Sequence, residues 1–363
     1  MNFYLRHAIL ISLLASQTSG AQDSVGIQGA GKGLKDYYSQ YFPIGVAVGL
    51  RSLSGREASL ILREFNSLTP ENAMKMGPIH PEENRYYWKD ADSIVDFAQR
   101  HGLKVRGHNL CWHEQTPAWL FKDGQGNLVS KEVLLRRLKD HISTVVGRYQ
   151  GKVYAWDVVN EAIDDDSLKF LRNSLWFRIC GDEFISKAFE FAHQADPSAE
   201  LFYNDYNTER PEKRERVYRL LKQLLTAGVP VNGVGLQGHW TVNEPTEKDL
   251  KDAIERFSSL GLKVQITELD ISVYPWEKQK RMKLSGEQDE LSPESEKRQI
   301  EQYEMIFKVF REYKKQLTGI SFWGVSDGGS WLNNYPVAGR KNYPLLFGRN
   351  LMPKKVYWKI IGF

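Results

Sequence analysis

Two glutamates stand out because each comes at the end of a run of apolar residues. Glu161 closes the segment WDVVNE, and Glu268 lies near the end of KVQITELD. The branched aliphatic residues of such segments are typical of strands buried on both faces, so the acids are expected where the strands leave the core. Two facing carboxyl groups suit cleavage of a glycosidic bond, because one can protonate the leaving oxygen while the other attacks the sugar or activates water.

Other polar or aromatic side chains follow apolar runs in the same way. They are, in chain order, Glu71 and Asn72 with Lys75 shortly after; His108, Trp112 and His113; Asn160; Asn204, Tyr206 and Asn207; Gln237 and His239; Asp270; and Trp323 and Asp327. One polar terminus would carry little information, but acids, amides, imidazoles and indoles converging at strand ends favour a site. The spacing of Glu71 and Lys75 predicts that both lie on one helical face if a turn starts there.

The elements that must position these residues form a regular series. Eight short apolar runs alternate with longer amphipathic segments; the runs are IGVAVG, FNSLTPEN, LKVRGHNL, VYAWDVVNE, LFYNDYN, VNGVGLQGH, KVQITELD and GISFWGVSD. Helical periodicity is clearest over residues 130–149, 210–228 and 246–261. A strand followed by a helix, eight times over, predicts a single-domain α/β fold, the (β/α)8 TIM barrel.

In such a barrel the catalytic groups stand at the C-terminal ends of the strands. The fourth and seventh strands lie on roughly opposite sides of the ring, so Glu161 and Glu268 are expected to face one another across its mouth. A doubly wound open sheet is the alternative, but no glycine-rich phosphate-binding motif follows the first strand. The polar segment 277–299, after the seventh strand, is predicted to be a solvated loop that could also wall a cleft.

The composition excludes some classes of function. Basic and acidic residues nearly balance, 49 against 45, without a long run of one sign, so nucleic-acid binding is not expected. The 10 tryptophans and 17 tyrosines suit neutral ligands with apolar C–H faces, such as sugars, although most must pack in the core.

The N-terminus predicts a secretory signal peptide over residues 1–21. Arg6 and His7 precede the apolar run AILISLLA, and small residues suited to cleavage follow it. The remaining residues, 22–363, are assigned to the catalytic domain, with no membrane span in the mature chain and a secreted or periplasmic location. The two cysteines, Cys111 and Cys180, could pair or remain as two buried thiols.

Six segments, taken in order, carry a family resemblance. GHNLCWH, WDVVNE, YNDYN, GLQGHW, ITELD and WGVSDGGSW resemble the set found in glycoside hydrolase family 10, the endo-β-1,4-xylanases. The resemblance extends from about Phe42 to the C-terminus. It implies a retaining hydrolase of xylan and xylooligosaccharides, with Glu161 as general acid/base and Glu268 as nucleophile.

The resemblance also implies roles for other residues. Sugar contacts or support of the acids are assigned to Glu71, Asn72, Lys75, His108, Trp112, Asn160, Gln237, His239, Trp323 and Trp331. Tyr206, at the end of the fifth predicted strand, is a further expected sugar contact. Gln115 and Trp331 are expected to exclude the hydroxymethyl group of glucose. His239 is expected to donate to Glu268, with Asp270 holding its imidazole, and Asn160 to bind the 2-hydroxyl of the sugar. Asn109, Cys111 and the segment after Trp331 depart from the commonest family pattern.

Two other interpretations compete with a hydrolase. His108, His113, His239 and Asp270 could bind a metal, but five residues is an odd step along a strand, so the first two imidazoles would point to different faces. A barrel that only binds polysaccharide would not need two facing carboxylates, which repel each other. The hydrolase is therefore the prediction, with no cofactor and no metal, and a monomeric state is expected.

Overall fold

The computed structural model describes residues 31–277, 279–287 and 289–363. Strands occur throughout this part of the chain: β1 Ile44–Val48, β2 Ser67–Pro70, β3 Lys104–Cys111, β4 Ala155–Asn160, β5 Glu200–Asp205, β6 Gly233–Leu236, β7 His239–Thr241, β8 Lys263–Ser272, β9 Arg281–Met282, β10 Leu317–Phe322 and β11 Val337–Ala338. The eight strands predicted from the sequence are all present, as β1 to β6, β8 and β10.

These eight strands close into a parallel barrel. The order is β10, β1, β2, β3, β4, β5, β6, β8, and a further parallel pairing between β8 and β10 closes the ring. The short strand β7 adds to the end of β8, where His239 pairs with Asp270. The prediction of a (β/α)8 barrel is confirmed, and the open doubly wound sheet is excluded.

Helices connect the strands and surround the barrel. They are α1 Leu34–Tyr37, α2 Gly55–Glu64, α3 Met76–Ile79, α4 Lys89–Arg100, α5 Lys131–Arg148, α6 Leu175–Cys180, α7 Glu183–Ala195, α8 Pro211–Thr226, α9 Glu247–Ser258, α10 Pro293–Glu312 and α11 Lys355–Ile361. The segments with the clearest helical periodicity became α5, α8 and α9. Ser130 and Thr246 cap α5 and α9 with side-chain hydrogen bonds, which fixes where these helices begin.

The barrel interior explains why the strands carry both aliphatic residues and glycine. Strands β1 and β4 are buried along their whole length. The ring of Trp156 lies so close to Gly107 that a Cβ atom there would stand 2.1 Å from it. Glycine on β3 therefore makes room for tryptophan on β4, and close packing fixes these two strands against each other.

The polar segment 277–299 is only partly a loop, so the prediction for it was wrong in its second half. Ser292 caps α10, and Pro293 begins it, so the last seven residues are helical. In the first half, Arg281 and Met282 form β9, which pairs with β11. Arg281 and Arg340 each contact both Glu277 and Glu287, so ion pairs fasten this segment to the chain after β10.

Cys111 and Cys180 are both buried and free, so no disulfide joins them. The predicted signal peptide, residues 1–21, lies outside the described residues. In the part of the chain that the structure describes, no helix is long and apolar enough to cross a membrane.

Candidate active site

Glu161 and Glu268 lie at the C-terminal mouth of the barrel. Glu161 is the first residue after β4, and its φ angle of 57° places it in the left-handed region. Such a conformation costs a residue with a Cβ atom about 1–3 kcal/mol, so the surrounding contacts must hold it. Glu268 lies within β8, where its backbone N–H donates to Gln237 O. Its residue surface is only 4% exposed.

A chain of amide side chains connects the two carboxyl groups. Asn160 Nδ2 donates to Glu161 Oε1 at 3.2 Å, and Asn204 Nδ2 donates both to Asn160 Oδ1 at 2.9 Å and to Glu268 Oε1 at 2.8 Å. Thr267 Oγ1 donates to Asn204 Oδ1 at 2.6 Å and so fixes the orientation of that amide. The acids of β4 and β8 are therefore positioned by one hydrogen-bonded network.

The environment of Glu161 favours a neutral carboxyl group. Trp112 Nε1 donates to Glu161 Oε2 at 2.8 Å, and Gln237 Nε2 donates to Oε1 at 2.9 Å. Burial, followed by the negative charge of Asp205, raises the pKa of Glu161 to about 7, and the charge of Glu268 adds to this effect. The two hydrogen bonds act in the opposite direction but are outweighed.

The environment of Glu268 favours the carboxylate. Its Oε2 lies 3.1 Å from His239 Nε2, and its Oε1 lies 4.0 Å from His108 Nδ1. Burial alone would raise the pKa of Glu268, but the charges of His108, His239 and Lys75 and the hydrogen bond from His239 lower it to about 2. Between these two pKa values Glu161 is protonated and Glu268 is ionised, as an acid and a nucleophile require.

His239 is held between two carboxylates. Its Nδ1 lies 3.0 Å from Asp270 Oδ2, which also accepts a hydrogen bond from Trp331 Nε1 at 2.8 Å. Burial alone would lower the pKa of His239, but Asp270 and Glu268 raise it to about 10. The imidazole is therefore protonated at neutral pH and can donate from both nitrogens. The contacts expected from the sequence for His239 and Asp270 are present.

A second buried histidine, His108, contacts an ion pair that was not predicted from the sequence. His108 Nδ1 lies 2.9 Å from Asp157 Oδ2, and Asp157 also forms an ion pair with Arg106. All three side chains are almost fully buried. Asp157, paired with Arg106, therefore orients His108 beside Glu268. Asn204, noted as a polar strand end but not assigned to the site, is likewise central to it.

Lys75 is a buried lysine close to two tryptophans of the site. Its Nζ donates to Asn72 Oδ1 at 3.0 Å and lies 5.1 Å from the ring centre of Trp112 and 6.0 Å from that of Trp323. Residues 71–75 form a turn, and α3 begins only at Met76, so the predicted helical face shared by Glu71 and Lys75 does not exist. Burial lowers the pKa of Lys75, and Glu268 and Glu71 oppose this effect.

Other predicted residues lie farther from the acids or are already engaged. Tyr206 OH donates to Asp165 Oδ2 at 2.6 Å and accepts from Arg172 at 2.9 Å, although its ring remains half-buried. Gln115 is exposed and adopts a φ angle of 46°. Asp327 pairs with Lys354 and accepts the N–H of Leu345, so it supports the fold.

Known proteins resemble this chain over nearly its whole length. The model of glycosyl hydrolase family 10 matches residues 33–362. Endo-1,4-beta-xylanase B of Paenibacillus barcinonensis is 48% identical over 325 residues, covering 90% of this chain and 96% of that protein. Beta-1,4-xylanase of Dictyoglomus thermophilum is 50% identical over 330 residues, covering 91% and 90%.

Solved structures show the same likeness. Xylanase XynB from Paenibacillus barcinonensis, complexed with a conduramine derivative, superposes with a TM-score of 0.87 at 47% identity, covering 92% of this chain and 98% of that one. The endo-1,4-beta-xylanase from Caldicellulosiruptor owensensis gives a TM-score of 0.87 at 47% identity, covering 92% and 100%.

Proposed function

This chain belongs to glycosyl hydrolase family 10, and from that premise we propose that it is an endo-1,4-β-xylanase that acts by a retaining double displacement. The observation that carries the mechanism is the pair of glutamates joined by one hydrogen-bonded network and with opposite protonation preferences, the pKa of Glu161 raised to about 7 and that of Glu268 lowered to about 2. The names of the relatives support xylan and xylooligosaccharides as the substrates.

The reaction runs in two displacements. Glu268 attacks the anomeric carbon, the bond from that carbon to the leaving oxygen breaks, and Glu161 gives its proton to that oxygen. Esterification removes the charge of Glu268, which lowers the proton affinity of Glu161. Glu161 then takes a proton from water as the water oxygen attacks the same carbon and releases Glu268. Each displacement inverts the carbon, so the product keeps the β configuration.

The surrounding residues have distinct tasks in this scheme. His239 keeps Glu268 ionised and aims one of its oxygens, while Asp270 holds the imidazole. Asn160, whose amide already contacts Glu161, binds the 2-hydroxyl of the reacting sugar, a contact that strengthens in the transition state. The remaining predicted sugar contacts are Glu71, Asn72, Lys75, His108, Trp112, Gln237, Trp323 and Trp331.

We expect kcat/KM to depend on pH through these two acids. The reaction requires protonated Glu161 and ionised Glu268 in the free enzyme. Activity should therefore fall as the pH rises through about 7, where Glu161 loses its proton, and on the acid side only as the pH approaches about 2. The pH profile of kcat/KM on an aryl xylobioside checks this. Trp112→Phe removes a hydrogen-bond donor that lowers the pKa of Glu161, so the basic limb of its profile should move to higher pH. An unchanged basic limb would contradict the assignment.

Product analysis on purified xylan, cellulose and xylooligosaccharides tests the activity itself. We expect short xylooligosaccharides from internal cleavage of xylan and little release from cellulose. Xylose lacks the hydroxymethyl group of glucose, so a site can select xylan by leaving no room for that group. Glucose-containing products formed faster than xylooligosaccharides would contradict the proposal.

Gln115 offers a direct test of this selection. Gln115→Gly should raise kcat/KM for an aryl cellobioside relative to an aryl xylobioside, and glycine tolerates the positive φ angle at that position. Gln125→Gly, at another exposed loop glutamine, is the control. Trp331→Ala is less clean because the indole also donates to Asp270. An unchanged ratio in Gln115→Gly would place the selection elsewhere.

The location is proposed from the N-terminal sequence alone. A cleavable signal over residues 1–21 would deliver the enzyme to the periplasm or the medium, where a polymer such as xylan is met. N-terminal sequencing of the mature protein, with activity assays on cell fractions, checks this. A monomeric state is proposed as well, and light scattering in solution measures it.

A further inference from the structure

The chain turns abruptly at Glu161. Side chains of neighbouring residues on an extended strand point to opposite faces, yet the amide of Asn160 donates to the carboxyl group of Glu161 at 3.2 Å. The φ angle of 57° at Glu161 explains this contact, because the chain leaves strand geometry there. The left-handed turn therefore places the amide and the acid on the same side. The contacts that maintain this turn therefore also determine where the carboxyl group of Glu161 points.

A single buried hydroxyl group fixes the two residues after Glu161. Tyr203 OH accepts hydrogen bonds from Ala162 N at 3.1 Å and from Ile163 N at 3.2 Å, and it donates to Asp205 Oδ2 at 2.5 Å. A phenol has one donor and two acceptor sites, so every hydrogen-bonding capacity of this group is used. Tyr203 itself is fully buried on β5.

Two cations complete the arrangement around the turn. Arg172 Nε donates to the carbonyl oxygen of Glu161 at 3.1 Å, and Arg172 N donates to Ala162 O at 2.8 Å. Lys213 Nζ lies 2.8 Å from Asp205 Oδ1 and forms an ion pair with that carboxylate. The backbone from Glu161 to Ile163 is therefore fixed by Tyr203 and Arg172.

We propose that Tyr203 is a positioning residue for the general acid: its hydroxyl group, oriented by Asp205, holds the left-handed turn that aims the carboxyl group of Glu161 at the leaving oxygen. The inference rests on the proposed function, because it assumes that Glu161 is the acid. Glu268 has a further contact outside the amide chain that it shares with Glu161, the one with His239, so the loss of the Tyr203 hydroxyl should disturb Glu161 more than Glu268.

The dependence of kcat/KM on the leaving group of the substrate distinguishes a positioning role of Tyr203 from a merely structural one. A poor leaving group such as phenol needs the proton from the acid, whereas 2,4-dinitrophenol departs without it. For both substrates kcat/KM reports the steps up to formation of the glycosyl-enzyme. A displaced Glu161 should therefore slow only the phenyl substrate, while general damage to the site should slow both.

The experiment compares Tyr203→Phe with the parent on phenyl and 2,4-dinitrophenyl β-xylobioside. We expect kcat/KM for the phenyl substrate to fall about tenfold or more, within the range that acid catalysis contributes, and the dinitrophenyl value to stay within about twofold. Tyr38→Phe is the matched control, because it too removes a buried tyrosine hydroxyl group. The partners of that group are Arg311, from which it accepts, and the carbonyl oxygen of Ile360, to which it donates. It should leave the ratio of the two values unchanged.

Equal losses on both substrates, or no loss on either, would overturn the inference. If Tyr203→Phe does not fold, Arg172→Gln decides in the same way, because it removes the donor to Glu161 O from a partly exposed position. A parent enzyme without activity on either xylobioside would overturn the proposed function and this inference with it. Parent activity with an unchanged ratio in the folded variants would overturn the inference alone.

Discussion

Glu268→Gln should reduce kcat on xylan by roughly 10⁴- to 10⁶-fold, the range seen when an enzyme loses a member of its catalytic group. Glutamine keeps the size of the side chain and can still contact Asn204 and His239, but its amide cannot form the ester with the sugar. The loss should extend to aryl xylobiosides with good leaving groups, because attack on the anomeric carbon is needed whatever departs. Initial rates on both substrates check this.

Glu64→Gln provides the matched control for this prediction. Glu64 is also a buried glutamate, but it accepts hydrogen bonds from Leu34 N and Tyr357 OH, away from the residues of the site. The substitution should lower the free energy of unfolding and leave kcat nearly unchanged. Measurable turnover by Glu268→Gln within about tenfold of the parent would show that Glu268 is not the nucleophile.

Glu161→Ala should behave differently from any variant of Glu268. Hydrolysis of xylan should fall by about 10²- to 10⁴-fold, the usual contribution of general acid–base catalysis. A substrate with a good leaving group should still form the glycosyl-enzyme, which then accumulates because no base activates water. Azide needs no base, so it should restore turnover and give a β-xylosyl azide.

Glu268→Ala supplies the comparison for the azide experiment. Azide can replace its missing carboxylate only by attacking from the opposite face, which gives the α-azide. Identification of the azide anomer by proton NMR therefore reports which residue was removed. An α-azide from Glu161→Ala and a β-azide from Glu268→Ala would reverse the two assignments.

The sequence predicted the barrel well because its signals are local. Runs such as VYAWDVVNE carry their β-branched residues together, and the helices between them keep a regular apolar periodicity. Glu161 and Glu268 were singled out because each comes late in an apolar run, although Glu268 lies within β8, which continues to Ser272. The segment 277–299 was harder, because Ser292 and Pro293 begin a helix whose polar first turns have the composition of a loop.

The residues that position the catalytic groups were harder to predict from the sequence. Asp157 lies inside an apolar run, and its partners Arg106 and His108 come from the neighbouring strand, so only the pairing of β3 with β4 shows why a buried charge is tolerated. Likewise, no propensity in WDVVNE indicates the left-handed turn at Glu161. Tertiary contacts from Tyr203 and Arg172 maintain that turn.

The configuration of the first product tests the double displacement most directly. Proton NMR of the early hydrolysis of a xylooligosaccharide follows the anomeric signal of the new reducing end before mutarotation mixes the forms. With Glu268 as nucleophile and Glu161 as acid/base, the β-anomer should appear first and the α-anomer only later, at the rate of mutarotation. Initial release of the α-anomer would contradict the retaining mechanism and require Glu268 to act as a base toward water.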